Sequence, residues 1–166
     1  MDPKPINLAL QGGGAHGAFT WGVLDRLLED GRVDIAAISG TSAGAMNAVA
    51  VADGITRAGP ERAREALHDF WSAMSRAARF SPLRRTPLDV FLGSWSLDLS
   101  PGWHALDALT RFASPYQLNP LGLDPLRDIL EASIDFEAVR ACVAFELFVS
   151  ATNVETGRVK VFDRPR

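Results

Sequence analysis

Gly40-Thr41-Ser42-Ala43-Gly44 satisfies the pattern G-x-S-x-G. Its physical content is a sharp strand-to-helix turn that lifts a serine hydroxyl clear of the backbone, with glycine where side chains would collide. Given a base, such a serine attacks acyl carbonyls and passes through an acyl-enzyme. Composition alone produces the pattern in roughly one of twenty chains of this length, so its flanks decide its weight. Asp34 to Ser39 is an apolar run suited to a strand, and Ala45 to Asp53 is alanine-rich, with Gly54 as its expected stop. The competing reading is that Ser42 only caps the following helix.

A second glycine cluster, Gly12-Gly13-Gly14-Ala15-His16-Gly17, follows the short apolar run Ile6 to Leu10. It also fits the dinucleotide pattern G-x-G-x-x-G, which expects an acidic residue at the end of the second strand to hold a ribose. That end reads Ile38-Ser39-Gly40, with no acid, and Ala18 stands where a phosphate-binding loop needs lysine. The alternative use is an oxyanion hole, in which main-chain N–H groups at a helix N-terminus stabilise a tetrahedral intermediate. One helix joins the two predicted strands, so both loops should emerge at the same sheet edge with donors facing serine.

A base is harder to find. His16 lies in the glycine loop, close enough to be weighed for acid–base work; His68 sits beside Asp69 on an amphipathic helix, and His104 lies in a proline-rich stretch. An α/β-hydrolase triad would need an acid and then a histidine far downstream of the serine; His68 reads as a solvated or packed side chain, and His104 has no strong claim. The histidines and Cys142 show no zinc-ligand spacing, so no metal and no cofactor are expected. The Asp-Gly pairs, Asp30-Gly31 and Asp53-Gly54, read as helix stops rather than bases.

The elements that must position these groups alternate as strand, glycine turn, helix, twice over, which implies a mainly parallel sheet covered by helices. A third helix is expected over 60–79, with Ala63, Ala66, Leu67, Phe70, Met74 and Ala77 on one stripe. Residues 80–123, interrupted by Pro82, Pro87, Pro101, Pro115 and Pro120, read as short helices and loops. Within them Phe91, Trp95, Leu97 and Trp103 form either core or an apolar lid. Asp124-Pro125 and Asp135 mark helix starts, and Val143 to Ala151, Asn153 to Gly157 and Arg158 to Phe162 read as strand, turn and strand.

Length and composition suit one globular domain: 166 residues, 47% apolar and 22% charged. A net charge of −3 argues against a nucleic-acid partner. The lone Cys142 and a start without an apolar signal region point to a cytoplasmic setting. The longest mainly apolar stretch, Ala43 to Ala52, is too short to span a bilayer, so membrane contact would be peripheral and transient.

Together, an N-terminal strand, a Gly-Gly-Gly-x-x-Gly loop and a G-T-S-A-G elbow resemble the patatin-like phospholipases, serine hydrolases of lipid acyl esters. The run Ser150 to Gly157 also resembles a hairpin that bacterial members carry. The resemblance implies a three-layer α/β/α fold, a Ser–Asp dyad without histidine, Ser42 as nucleophile, and main-chain donors from Gly12, Gly13 and Gly14 as the oxyanion hole. It explains the missing histidine. Two departures stand out: His16 occupies a position where the family usually has Arg or Lys, and no Asp-Gly-Gly or Asp-Gly-Ala follows the elbow. Residues 1–166 are therefore expected to be the N-terminal part of a single catalytic domain, with the dyad aspartate beyond Arg166. The rival functions are acyl transfer to an acceptor other than water, on a related fold, and an inactive ligand-binding relative. The sequence leaves oligomeric state and head-group preference open.

Overall fold

A computed structural model describes residues 3–79, 91, 93, 100–112 and 124–163. The chain divides into two compact units, Met1–Ala73 with Ile129–Arg166, and Met74–Asp128. The first unit holds a sheet in the order β1-β2-β3-β4, from β1 (Lys4–Leu10), β2 (Val33–Thr41), β3 (Glu146–Thr152) and β4 (Val159–Asp163). β1, β2 and β3 run parallel, and β4 returns antiparallel on β3. This is the α/β architecture with a mainly parallel sheet that the alternating elements predict.

α1 (Gly17–Asp30) crosses from β1 to β2, entered through a 3-10 turn, Gly14–His16. It stops where expected, because Gly31 takes a left-handed conformation and its N–H closes on the Leu27 carbonyl. α2 (Ala43–Ala58) is lined by small residues and buries Ala48, Ala50, Val51 and Ala52 completely. α3 (Pro60–Ala78) contributes Ala63, Leu67 and Phe70 to the interior. The core cluster joins Leu24 of α1 and Ile38 of β2 to Ala48, Ala50, Val51, Ala52, Ala63 and Leu67, with Leu8, Leu10, Ile35 and Leu147 packed against it.

Alternation alone would put Ile35 and Ile38 on opposite faces. A register shift between Ile6 and Asn7 of β1 and their β2 partners lets both isoleucines face the helices. On the other face Asn7, Ala9, Asp34, Ala36 and Ser39 are exposed.

In the second unit, α4 (Pro101–Phe112) starts as the Ser-Pro pair dictates: the buried Ser100 hydroxyl accepts from the Trp103 N–H at 3.4 Å. α5 (Pro125–Ser133) opens with the Asp124 carboxylate accepting from Arg127 N–H at 3.1 Å, and α6 (Phe136–Ala141) with Asp135 accepting from Glu137 and Ala138. In the β3–β4 turn, Asn153 Oδ1 accepts from the N–H groups of Glu155 and Thr156 at 3.0 and 2.8 Å. β3 begins at Glu146, later than the Val143 expected, with Val143 itself exposed. No helix among the described residues is long and apolar enough to cross a membrane. Trp95 and Leu97 of the expected lid or core lie outside the described residues, while Phe91 and Trp103 are exposed.

The reading of Asp53-Gly54 as a helix stop is overturned: α2 continues through both to Ala58. Gly54 is internal because α3 approaches it closely, and Asp53 is fully buried beside Arg57, whose Nη1 lies 3.6 Å away. Neither Asp53 oxygen finds a hydrogen-bond donor at good geometry. Burial pushes this carboxyl above its ordinary 3.8, partly offset by Arg57, the Asp135 main chain and Arg62. Above 3.8 the native state therefore binds more protons at this site than the unfolded chain, and stability falls as pH rises through the raised value. Asp53→Asn should raise Tm at pH 7 by about 2–4 °C, with the gain shrinking as pH is lowered toward 3.8. Thermal melts across that range check it, and a gain that persists undiminished in acid would refute the assignment.

Candidate functional site

β1 and β2 lie side by side and parallel, with Leu10 opposite Gly40, so the glycine loop and the elbow leave the sheet at the same edge. Ser42 joins β2 to α2 with φ 50° and ψ −126°, the only non-glycine residue with positive φ among the described residues. An L-residue adopts that conformation only when its surroundings impose it. Here they do. Gly40 is packed so tightly on the start of α2 that a Cβ would come within 2.7 Å of Ala45 N, and a Cβ on Gly44 would fall 2.2 Å from the Leu10 carbonyl oxygen. The elbow glycines thus let α2 begin directly beneath the end of β1, and the chain between them must turn sharply at Ser42.

Ser42 is exposed, whereas Ala43 and Gly44 are buried. Its hydroxyl makes no capping hydrogen bond to α2, so capping alone does not account for a serine here. No hydrogen bond given among the described residues joins that hydroxyl to a carboxylate or imidazole.

The glycine loop lies against the elbow. A Cβ on Gly12 would stand 3.0 Å from Ser42 Cβ and 3.2 Å from the Thr41 carbonyl oxygen, which brings the loop main chain alongside the serine. Gly13 and Gly14 have φ of 144° and 57°, values that side chains resist. Ala15 and His16 are exposed. His16 donates twice to the Gly13 carbonyl, from its main-chain N–H at 3.2 Å and from Nδ1 at 3.2 Å. In a trans peptide the C=O and the following N–H point opposite ways, so holding the Gly13 carbonyl toward His16 directs the Gly14 N–H away from it. Gly17, the last of the motif, is buried as the first residue of α1.

Beside the elbow is a cavity of about 370 Å³, lined by Leu10, Gln11, Ser39, Thr41, Phe148 and Val161 among others. It opens at the C-terminal ends of the parallel strands, the position where α/β sheets bind ligands. His68 is exposed on α3, 3.4 Å from Asp69 and edge-on to Trp21, and His104 is on α4 in the second unit. Asp30 ends α1 at the opposite end of the sheet, just before β2. Asp53 lies about 16 Å along α2 from Ser42 by the helical rise.

Asn47 and Trp71 were not among the site residues expected from sequence. Asn47 is fully buried in α2 and donates from Nδ2 to the Gly17 carbonyl at 3.0 Å, while Trp71 Nε1 donates to its Oδ1 at 2.8 Å. The signal was present as a single amide within the apolar run Ala43 to Ala52.

A protein-family profile described as patatin-like phospholipase matches residues 8–164. No curated protein matches the chain in sequence. Among solved structures, the heterodimeric ExoU–SpcU complex from the type III secretion system of Pseudomonas aeruginosa aligns at TM-score 0.40 and 20% identity, over 98% of this chain and 33% of that one. VipD from Legionella pneumophila aligns at TM-score 0.36 and 16% identity, over 99% of this chain and 40% of that one. The chain thus spans about a third to two-fifths of the length of these solved structures.

Proposed function

The chain belongs to the patatin-like phospholipase family, and from that premise we propose that it hydrolyses acyl esters of lipids, with Ser42 as nucleophile and the Gly12–Gly14 main chain as oxyanion hole. The observation that carries this reading is the strained, positive-φ Ser42 at the strand-to-helix turn, with Gly12 so close that a Cβ there would lie 3.0 Å from Ser42 Cβ. Ser42 Oγ attacks the acyl carbonyl carbon while its proton passes to a base. The carbonyl π electrons move onto oxygen, and main-chain N–H groups of the loop stabilise that charge. Collapse expels the alcohol, which takes a proton, and leaves an acyl-enzyme that water cleaves by the reverse sequence. The base proposed is an aspartate carried outside residues 1–166. The apolar lining of the neighbouring cavity, with Leu10, Phe148 and Val161, suits the acyl chain.

Fluorophosphonate treatment of the full-length protein tests the reading. The expected result is one covalent adduct, mapped by mass spectrometry to the peptide containing Ser42. A reagent that labels a control hydrolase but leaves Ser42 unmodified would overturn it.

A further inference from the structure

We infer that Asn47 is a positioning residue: it holds the N-terminus of α1, and with it the glycine loop, in register with Ser42. The inference rests on the proposed role of Ser42 and deepens it. Asn47 lies on α2, the helix that begins at the elbow, while its Nδ2 partner, the Gly17 carbonyl, lies on the residue that ends the glycine loop. Indole nitrogen can only donate, so the Trp71 bond requires Asn47 Oδ1 to face the indole and Nδ2 to face Gly17. The amide therefore has one satisfied orientation, and it links α1, α2 and α3 at one buried point.

The seat it holds has no slack. A Cβ on Gly17 would come within 2.7 Å of Ala43 Cβ and 2.8 Å of Trp71 Cζ2, so the start of α1 rests directly on the residue after Ser42 and on the indole. The far side of the loop is fastened by the two bonds from His16 to Gly13. Of the N–H groups proposed to meet the oxyanion, that of Gly14 lies between these fastenings and those of Gly12 and Gly13 immediately before them. Without the Asn47 bond, α1 and the loop can move relative to Ser42. Misplacement of donors by about 1 Å is enough to cost two orders of magnitude in rate.

The test compares an oxo ester with the matched thiono ester, whose sulfur is a weak acceptor, so aligned donors favour the oxo substrate. Asn47→Leu keeps the branched heavy-atom skeleton and removes both hydrogen bonds. In the full-length enzyme it should lower kcat on the oxo ester by about 10- to 100-fold with KM little changed, and bring the oxo-to-thiono ratio toward one. Trp71→Phe keeps the Asn47–Gly17 bond but removes the indole N–H together with the ring atoms that rest on Gly17, and should give a smaller loss, about three- to tenfold, with the ratio shifted in the same direction. A merely structural role would reduce the amount of folded enzyme and leave the ratio at the wild-type value; that result overturns the inference. If Asn47→Leu fails to fold, the ratio in Trp71→Phe decides alone, and an unchanged ratio there overturns it equally. Failure of the parent reading is distinct: wild-type protein would then hydrolyse neither ester and take no label at Ser42, and both proposals would fall together.

Discussion

Ser42→Ala should abolish acyl-ester hydrolysis and fluorophosphonate labelling, with a fall in turnover of at least about 10³-fold, while Tm stays close to wild type. The two halves of this expectation have separate physical grounds. Loss of the hydroxyl removes the proposed nucleophile. Stability is indifferent because the hydroxyl makes no capping bond to α2 and the side chain is exposed; such substitutions usually stay within about 0.5 kcal/mol. Ser42→Gly sharpens the contrast. It is equally inactive, but it relieves a backbone held at φ 50° and should stabilise the fold by about 1 kcal/mol. Hydrolysis assays with thermal melts on the three proteins check both. Wild-type turnover in Ser42→Ala would reduce Ser42 to a connecting residue.

Gly54→Ala should be the most destabilising methyl addition in the helical layer. A Cβ there would lie 2.2 Å from Ala63 Cα, 2.4 Å from Ala63 N and 2.6 Å from the Arg62 carbonyl carbon. All three are main-chain atoms, so no rotamer change relieves the overlap; α2 and α3 must separate. Their separation opens the core at Val51, Ala63 and Leu67, which are completely buried. The expected loss is about 3 kcal/mol or more, read as a Tm drop of roughly 6–12 °C. Gly31→Ala provides the comparison, since Gly31 has φ 65° but no neighbouring atom within 4 Å of a Cβ; only conformational strain, about 1 kcal/mol, is added. Equal melts for the two variants would rule out the close α2–α3 approach.

These glycines show why some features were legible in the sequence and others were not. Gly31 ends α1 for a local reason, a left-handed residue closing the last turn, and local patterns read correctly. Gly54 presents the same Asp-Gly signature, yet its cause is a helix distant in space, so the pattern misread it as a stop. Asp53 has the same history: its burial follows from the packing of α2 within the core. The register shift that turns both Ile35 and Ile38 inward likewise depends on the partner strand, which alternation along one strand cannot reveal.

By itself the sequence determined the sequence-local half of the site. It set the two glycine motifs, the strands before them and the helices after them, because hydrophobic period and turn chemistry act over a few residues. That the two loops share one sheet edge followed from a single helix joining the strands; tertiary structure alone decided how closely Gly12 lies against Ser42, that Gly44 lies under Leu10, and that Asn47 joins Gly17 to Trp71. Each of these is a contact between residues 24 to 34 positions apart. Close packing selects such contacts only once the sheet and its helices have been brought together.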